Sequence, residues 1–535
     1  MSNSYDIAIV GSGFAGSLMA MIARRLGHSV VLIDKGKHPR FAIGESSTPL
    51  TSLLFEDLTV RYDLAALRPL TKWGSWQRTY PGVACGLKRG FTFYHHDLSQ
   101  PITSKPDRGR QLLVAASPND QIADTHWYRA DLDHFLVRNA QEMGLDYLEE
   151  TQLTSLTNED RGFTLIGARK GHDLKLSAKF LIDASGQRGF LHRALRLSEA
   201  DLPGFPATQA LYCHFARVKR LDQLPFGDND EQPPYPIDDA AVHHVFDGGW
   251  IWVLHFNNGI TSAGVAATDD VAQKLNLADG RGAWRRLLHK IPALQEQFKN
   301  AVPTQPFTHI PRLPFRTKPL SGRDWVMLPS AGGFVDPLLS TGFPLTLLGV
   351  SRLATILEKN LDSDSRPALV ARYATETESD LLAAARLIRA LYANMHDFPV
   401  FSAISLLYFT AVSYAETARR LGKPHLAGGF LMRDHPAFGV AMRALLKRAN
   451  LPRSRQESAA LICAIHDALE PYNVGGFGDS LRRNWYSVRP DDLLNSAWKV
   501  KSSQKEVALM LQKCGFNLTV KDALLDSTRS LATST

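Results

Sequence analysis

Tyr5-Asp6-Ile7-Ala8-Ile9-Val10-Gly11-Ser12-Gly13-Phe14-Ala15-Gly16 decides the fold. An apolar run of strand length stops on three closely spaced glycines. Phe14 to Leu26 then reads as a helix and Ser29 to Ile33 as a second strand. This is the opening of a βαβ unit, and each glycine has a physical task in it. Gly11 makes the tight turn, Gly13 lets a pyrophosphate approach the backbone, and Gly16 lets helix pack on strand. Phe14 and Ala15 open the helix whose N-terminus receives the phosphate charge. Asp34, followed by Lys35, ends the second strand where a carboxylate accepts ribose hydroxyls. The spacing therefore predicts a Rossmann-type dinucleotide site.

Composition bounds the remainder. With 535 residues and 44% hydrophobic content, the chain can bury a large core and has the length for two or three domains. Cys85, Cys213, Cys463 and Cys514 show no paired spacing, so neither a disulfide framework nor a zinc site is expected, and a reducing cytoplasm fits. The net charge of +8 is scattered rather than gathered with aromatics. It excludes a nucleic-acid footprint and reads as a modest field favouring anionic ligands. The N-terminus carries no export pattern. Phe398 to Ala415 lacks charge, but Pro399 and several hydroxyl residues dilute it, so a buried helix is expected in place of a membrane span.

Further pieces follow in order. Arg40-Phe41-Ala42-Ile43-Gly44-Glu45-Ser46-Ser47 comes soon after Asp34, and Trp127-Tyr128-Arg129-Ala130-Asp131-Leu132-Asp133 opens a helix running to about Met143. Phe180-Leu181-Ile182-Asp183-Ala184-Ser185-Gly186 is an apolar strand ending in small residues. The two former segments resemble those lining FAD in flavin monooxygenases and their relatives, which implies FAD rather than NAD. Ile43, Gly44, Glu45, Ser46, Arg129, Ser185 and Gly186 are then cofactor-binding candidates. At helical spacing Arg129 could instead pair with Asp133.

Gly332-Gly333-Phe334-Val335-Asp336-Pro337-Leu338-Leu339-Ser340-Thr341-Gly342 brackets small hydroxyl residues between a Pro and a Gly. Such a stretch leaves regular structure and can turn N–H groups inward as a nest for an anion, although a tight turn capping a helix gives the same pattern. The apolar face of Leu347, Val350, Leu353, Ala354 and Leu357 predicts a helix from Phe343 onward, its positive end at this motif. Asp336 stands where it could cap that helix. Trp250-Ile251-Trp252 lies on an alternating strand, so both indoles share one face, as core packing also requires. Cys85-Gly86-Leu87-Lys88-Arg89-Gly90-Phe91-Thr92-Phe93 places a lysine before a glycine and an aromatic pair.

Together these segments, with Gln77-Arg78 and Phe256-Asn257-Asn258, resemble the flavin-dependent halogenases, most closely the branch holding monodechloroaminopyrrolnitrin halogenase and the tetracycline halogenases. The resemblance covers roughly residues 5 to 360. It implies that reduced FAD and O2 give a flavin hydroperoxide, that chloride or bromide attacks it to form hypohalous acid, and that a lysine holds this oxidant for an electron-rich aromatic substrate. Lys88 is the implied catalytic residue, with Lys72 as rival; a buried lysine shifts its pKa readily enough for such work. Ser340, Thr341 and Gly342 are the implied halide ligands. Ser330, Phe334 and Asp336 join the FAD set, and a separate flavin reductase is the implied partner. Two departures stand out. Pro329-Ser330 replaces the usual Gly-Asp, and Leu339 replaces the Glu of tryptophan halogenases, so any carboxylate base must come from elsewhere.

The expected architecture is α/β, α+β overall. An FAD-binding Rossmann-like part of the aromatic-hydroxylase type (1–360) carries an inserted antiparallel substrate sheet (about 205–320), and a mostly helical C-terminal part (361–535) covers the substrate pocket. Phe226 to Pro236 reads as an exposed acidic loop, and the Ser- and Thr-rich tail 527–535 as disordered. Two other functions fit the nucleotide end: an FAD-dependent aromatic monooxygenase, or a flavin-binding protein without turnover. Direct hydroxylation needs neither a relay amine nor a halide nest, so Lys88 and the 334–342 motif separate these readings.

Overall fold

The computed structural model describes residues 4–98, 108–159, 162–224, 232–359 and 363–517. Most of the 226–236 loop and all of the 527–535 tail lie outside them. The opening motif folds as its pattern dictates. Strand Ser4–Val10 enters helix Phe14–Arg25 through the glycine turn and leaves into strand Val30–Ile33. Ten consecutive residues of that helix, Phe14 to Ala23, are buried, and each fully buried Leu, Ile or Met among them is worth about 1.5–3 kcal/mol.

The nucleotide sheet has seven strands. Asp146–Leu148, Val30–Ile33, Ser4–Val10 and the last half of His172–Asp183 run parallel in that order, with Trp325–Met327 parallel to the end of His172–Asp183. The first half of His172–Asp183 pairs antiparallel with Gly162–Arg169, and that strand with Thr151–Glu159. The strand ends at Val10, Ile33 and Asp183 lie side by side, as Val10↔Ile33 and Val10↔Asp183. The crevice beyond them is where open α/β sheets place their ligands.

A second sheet has nine strands. Its centre, Thr208–Ala216, Ile260–Thr268, Gly249–His255 and Ala241–Phe246, is antiparallel, as the alternating pattern predicts. It is larger than the expected insertion. Gly90–His95 joins Ala241–Phe246 in parallel, Gln111–Ala115 follows, and Trp485–Tyr486 of the C-terminal part closes the edge in parallel. These strands have little alternation and were invisible to a period-2 reading. Beside this sheet, Cys85–Lys88 pairs antiparallel with Asp124–Trp127.

Helices Gly342–Leu357, Arg366–Tyr392 and Phe398–Arg420 dominate the C-terminal half. All five residues named on the face of the first are buried. Leu338–Leu357 and Phe398–Arg420 are long and apolar enough to cross a membrane, but 78% and 83% of their apolar windows are buried inside the protein.

Candidate active site

The nucleotide loop leaves no room for side chains. Gly11 has φ +106°, and a Cβ on it would lie 2.4 Å from the Ala184 carbonyl oxygen; one on Gly16 would lie 1.9 Å from that of Gly11. The Asp34 carboxylate accepts the Ser12 N–H and hydroxyl and the Gly36 N–H, each at 2.8 Å, and the Arg40 guanidinium at 3.0 Å. Burial pushes its pKa up, but Arg40 and these donors outweigh burial and hold it below the usual carboxylate range. Asp34 is thus ionised and already bonded. A ribose would share it with Ser12 and Arg40, a partner that strand-end logic did not reveal.

These groups border a cavity of about 500 Å³, a size typical of small-molecule and cofactor sites. Every cofactor and halide candidate from the sequence lines it except Gly16, which packs beneath the loop. Arg129 does pair with Asp133, at 2.7 and 2.8 Å, but as a buried pair, and its remaining nitrogen donates to the Ile43 and Gly44 carbonyls at 3.1 and 3.0 Å. It therefore clamps the 43–46 segment against the loop. Glu45 accepts or shares a proton with His214 at 2.7 Å, and its second oxygen is buried without a partner. The Ser185 hydroxyl and N–H both donate to Asp183, Gly186 has φ +81°, and Lys35, Ser330 and Phe334 complete the rim. A glycine cradle, a fixed guanidinium and an unpartnered carboxylate oxygen in one crevice fit FAD.

The 334–342 motif is strained. Leu339 and Ser340 have φ +62° and +54°, a region costly for side chains of this size. Tyr408 donates its hydroxyl to the Leu339 carbonyl at 2.8 Å and holds that turn in place. The Ser340 N–H is spent on the Pro337 carbonyl at 3.0 Å, and the long helix starts at Gly342, so Thr341 and Gly342 head the helix beside the cavity. Asp336 caps the short Leu338–Ser340 turn through the Leu338 N–H at 2.9 Å rather than the long helix. It also accepts the Trp250 indole N–H at 3.2 Å and the Tyr392 hydroxyl at 2.9 Å. Burial pushes it up to about 7. Trp250 and Trp252, with ring centroids 5.6 Å apart, both line the cavity, so the tryptophan pair does more than fill the core. His243 lines it too; burial first, then Lys88, lowers its pKa to about 3, leaving a neutral imidazole.

Lys88 is wholly buried. Its ammonium donates to the Ser46 hydroxyl at 2.7 Å and the Ser47 carbonyl at 2.5 Å, and lies 3.8 Å over the Phe91 ring. Arg89, its neighbour, is the residue that turns out, to Asp120 at 2.7 Å. Ser46 borders the large cavity, whereas Phe91 borders a second one of about 170 Å³. Lys88 thus contacts one lining residue of each cavity without lining either itself. The second cavity is walled by Phe91, Tyr408, Phe409 and Phe477, with Asp124, Glu416 and Arg420 among its polar groups. Of the C-terminal aromatics read from the sequence, Tyr408 and Phe409 reach it, and Tyr392, Phe398, Phe401 and Tyr414 pack in the core. Lys72 also borders it, donating to the Cys514 carbonyl at 3.3 Å. Asp124 faces Lys88 across the strand pair Cys85–Lys88/Asp124–Trp127. Burial lowers the Lys88 pKa and raises that of Asp124, and each charge opposes the other's shift. A lone carboxylate in a four-residue strand carries no local signal in the sequence that could have found it.

Comparison with known proteins agrees with this geometry. The tryptophan halogenase family model matches residues 116–400 and an NAD(P)-binding Rossmann-like model residues 9–69. Monodechloroaminopyrrolnitrin halogenase PrnC of Pseudomonas fluorescens is 30% identical over 68% of this chain, which spans 63% of that relative's length. Tetracycline 7-halogenase of Kitasatospora aureofaciens is 27% identical over 76% of this chain and 73% of its own. Halogenase PltM, solved with phloroglucinol and FAD, superposes with a TM-score of 0.75 at 23% identity, covering 88% of this chain and 96% of its own. The fold is that of these flavoproteins, and the chain belongs to the tryptophan halogenase family of flavin-dependent halogenases.

Proposed function

We propose that this protein halogenates an electron-rich aromatic small molecule, using chloride or bromide, O2 and FAD delivered in reduced form by a separate flavin reductase in the cytoplasm. The observation that carries the reading is Lys88, a fully buried amine bonded to Ser46 of the large cavity and stacked on Phe91 of a smaller aromatic-walled one. When bound, reduced FAD with O2 supplies the oxidising power that turns a halide into hypohalous acid.

The chain's own residues do the rest. Gly11, Gly13 and the start of helix Phe14–Arg25 receive the pyrophosphate, with Arg129 fixing the segment that covers it. Thr341 and Gly342 offer a halide the positive end of helix Gly342–Leu357. Lys88 spends two donors on Ser46 and Ser47 and retains a third, since an ammonium has three, for the oxygen of hypohalous acid. The second cavity holds the ring, and its aromatic walls exclude water from the oxidant's path.

The test supplies reduced FAD, O2 and bromide to a panel of indoles, phenols and pyrroles. A brominated product by mass spectrometry is the expected result. Hydroxylated product without bromine would instead make this a monooxygenase.

A further inference from the structure

We propose that Asp124 is the base that takes the proton lost by the aromatic ring on halogenation and returns it to Lys88, the two residues forming a closed proton couple beside the second cavity. The inference rests on the reading above that this cavity holds the ring.

Three observations carry it. Asp124 is only 6% exposed, and while one carboxylate oxygen accepts the Ser52 hydroxyl at 2.8 Å, the other is buried with no partner. A buried acceptor left unmade is costly and calls for an explanation. Next, Asp124 borders the second cavity together with Phe91, Tyr408 and Phe409, so a ring stacked there would lie beside this residue. Finally, Asp124 lies directly opposite Lys88 in the strand register, and directly opposed residues share a face.

The groups facing Asp124 leave it available. From helix Phe398–Arg420 come Tyr408, Glu416 and Arg420; from helix Pro49–Arg61, Ser52; from the partner strand, Lys88. Arg420 is committed to Glu416 at 2.8 Å and approaches Glu56 at 3.8 Å. Among the described residues no cation is in ion-pair contact with Asp124.

The step balances. The ring's π pair forms the carbon–halogen bond as the halogen–oxygen bond of hypohalous acid breaks. The departing oxygen takes the Lys88 proton and leaves as water. The tetrahedral ring carbon then gives its proton to the free Asp124 oxygen, and the C–H electron pair restores the aromatic ring. Asp124 passes that proton to the now neutral Lys88 amine, directly or through one water, and both residues are reset. In sum, ring–H and hypohalous acid give ring–halogen and water; the ring is oxidised by two electrons and the halogen reduced.

Asp124→Asn keeps an acceptor for Ser52 but removes the base. With the panel compound that the wild type brominates fastest, offered in normal and ring-deuterated form, the variant is expected to slow about 10²-fold and to acquire a primary deuterium isotope effect absent from the wild type. A wild-type rate, or a slower rate with no isotope effect, overturns the proposal. If D124N fails to retain FAD, Ser52→Ala replaces it: the carboxylate loses its anchor, a smaller rate loss with the same isotope effect is expected, and its absence is equally fatal. Independently of any substrate, 15N NMR of lysine-labelled protein should show Lys88 deprotonating at lower pH in D124N, and an unmoved Lys88 titration would break the couple. A wild type that brominates nothing refutes the function, whereas the NMR arm still judges the pair.

Discussion

The large cavity and the small one differ in make-up. The first draws chiefly on sequence motifs: the glycine turn, the 43–46 segment and the 334–342 motif each contribute a run of neighbours. The second joins short runs such as 114–118 and 486–489 to single side chains from scattered places, including Phe91, Asp124, Tyr408, Arg420, Phe477 and Met510. Backbone cradles suit a ligand whose phosphates are always the same; a patchwork of side chains suits a site whose occupant differs between relatives. Lys88 touches a lining residue of each, bonded to Ser46 on one side and stacked on Phe91 on the other.

The sharpest way to separate the halves is Lys88→Met, which keeps the buried stem and removes the amine. Halogenation is expected to fall by roughly 10²–10⁴-fold, while FAD binding, read by flavin fluorescence, stays as in the wild type. Loss of FAD binding would mean that the two cavities are not separable.

Asp336→Asn should act on the first cavity alone. Folding raises the Asp336 pKa to about 7 from near 4 in the unfolded chain. Between those values the folded protein keeps a proton the unfolded chain has released, so Asp336 makes stability fall as pH rises through that window. The Asn variant removes this dependence, on the order of 4 kcal/mol at 1.36 kcal/mol per unit. Tm measured from pH 4 to 8 should show a flatter profile than the wild type, with the variant the more stable at pH 8. A profile that keeps the wild-type slope would assign the dependence to other groups.

The smallest effect belongs to Lys72→Ala, at the far side of the second cavity. KM for the aromatic substrate is expected to rise by less than about tenfold, a loss of no more than ~1.4 kcal/mol, with kcat unchanged. A collapse of kcat to the level of the Lys88 variant would make Lys72 the relay amine instead.

The same contrast explains what the sequence disclosed. The βαβ opening and the apolar face of helix Gly342–Leu357 were legible because their meaning lies in local spacing, and the structure places them as read. Arg129, in contrast, makes the Asp133 pair that helical spacing offered as the alternative, while also lining the large cavity. Asp34 was legible as a strand-end carboxylate, but not its Arg40 partner, since the turn that brings them together depends on the folded loop. Trp250 and Asp336 were noticed separately, 86 positions apart; that one donates to the other is a property of tertiary packing. Asp124 went unread because a lone carboxylate in a four-residue strand carries no periodicity. Its importance comes from facing Lys88, and no local pattern encodes which strand a strand will pair with.

Since Lys88 donates its hydrogen bonds to Ser46 and Ser47, and none into the far chamber, drift in the aromatic lining beyond Phe91 need not disturb the amine. A lineage built on this plan can remodel the far chamber and keep the buried amine where it stands.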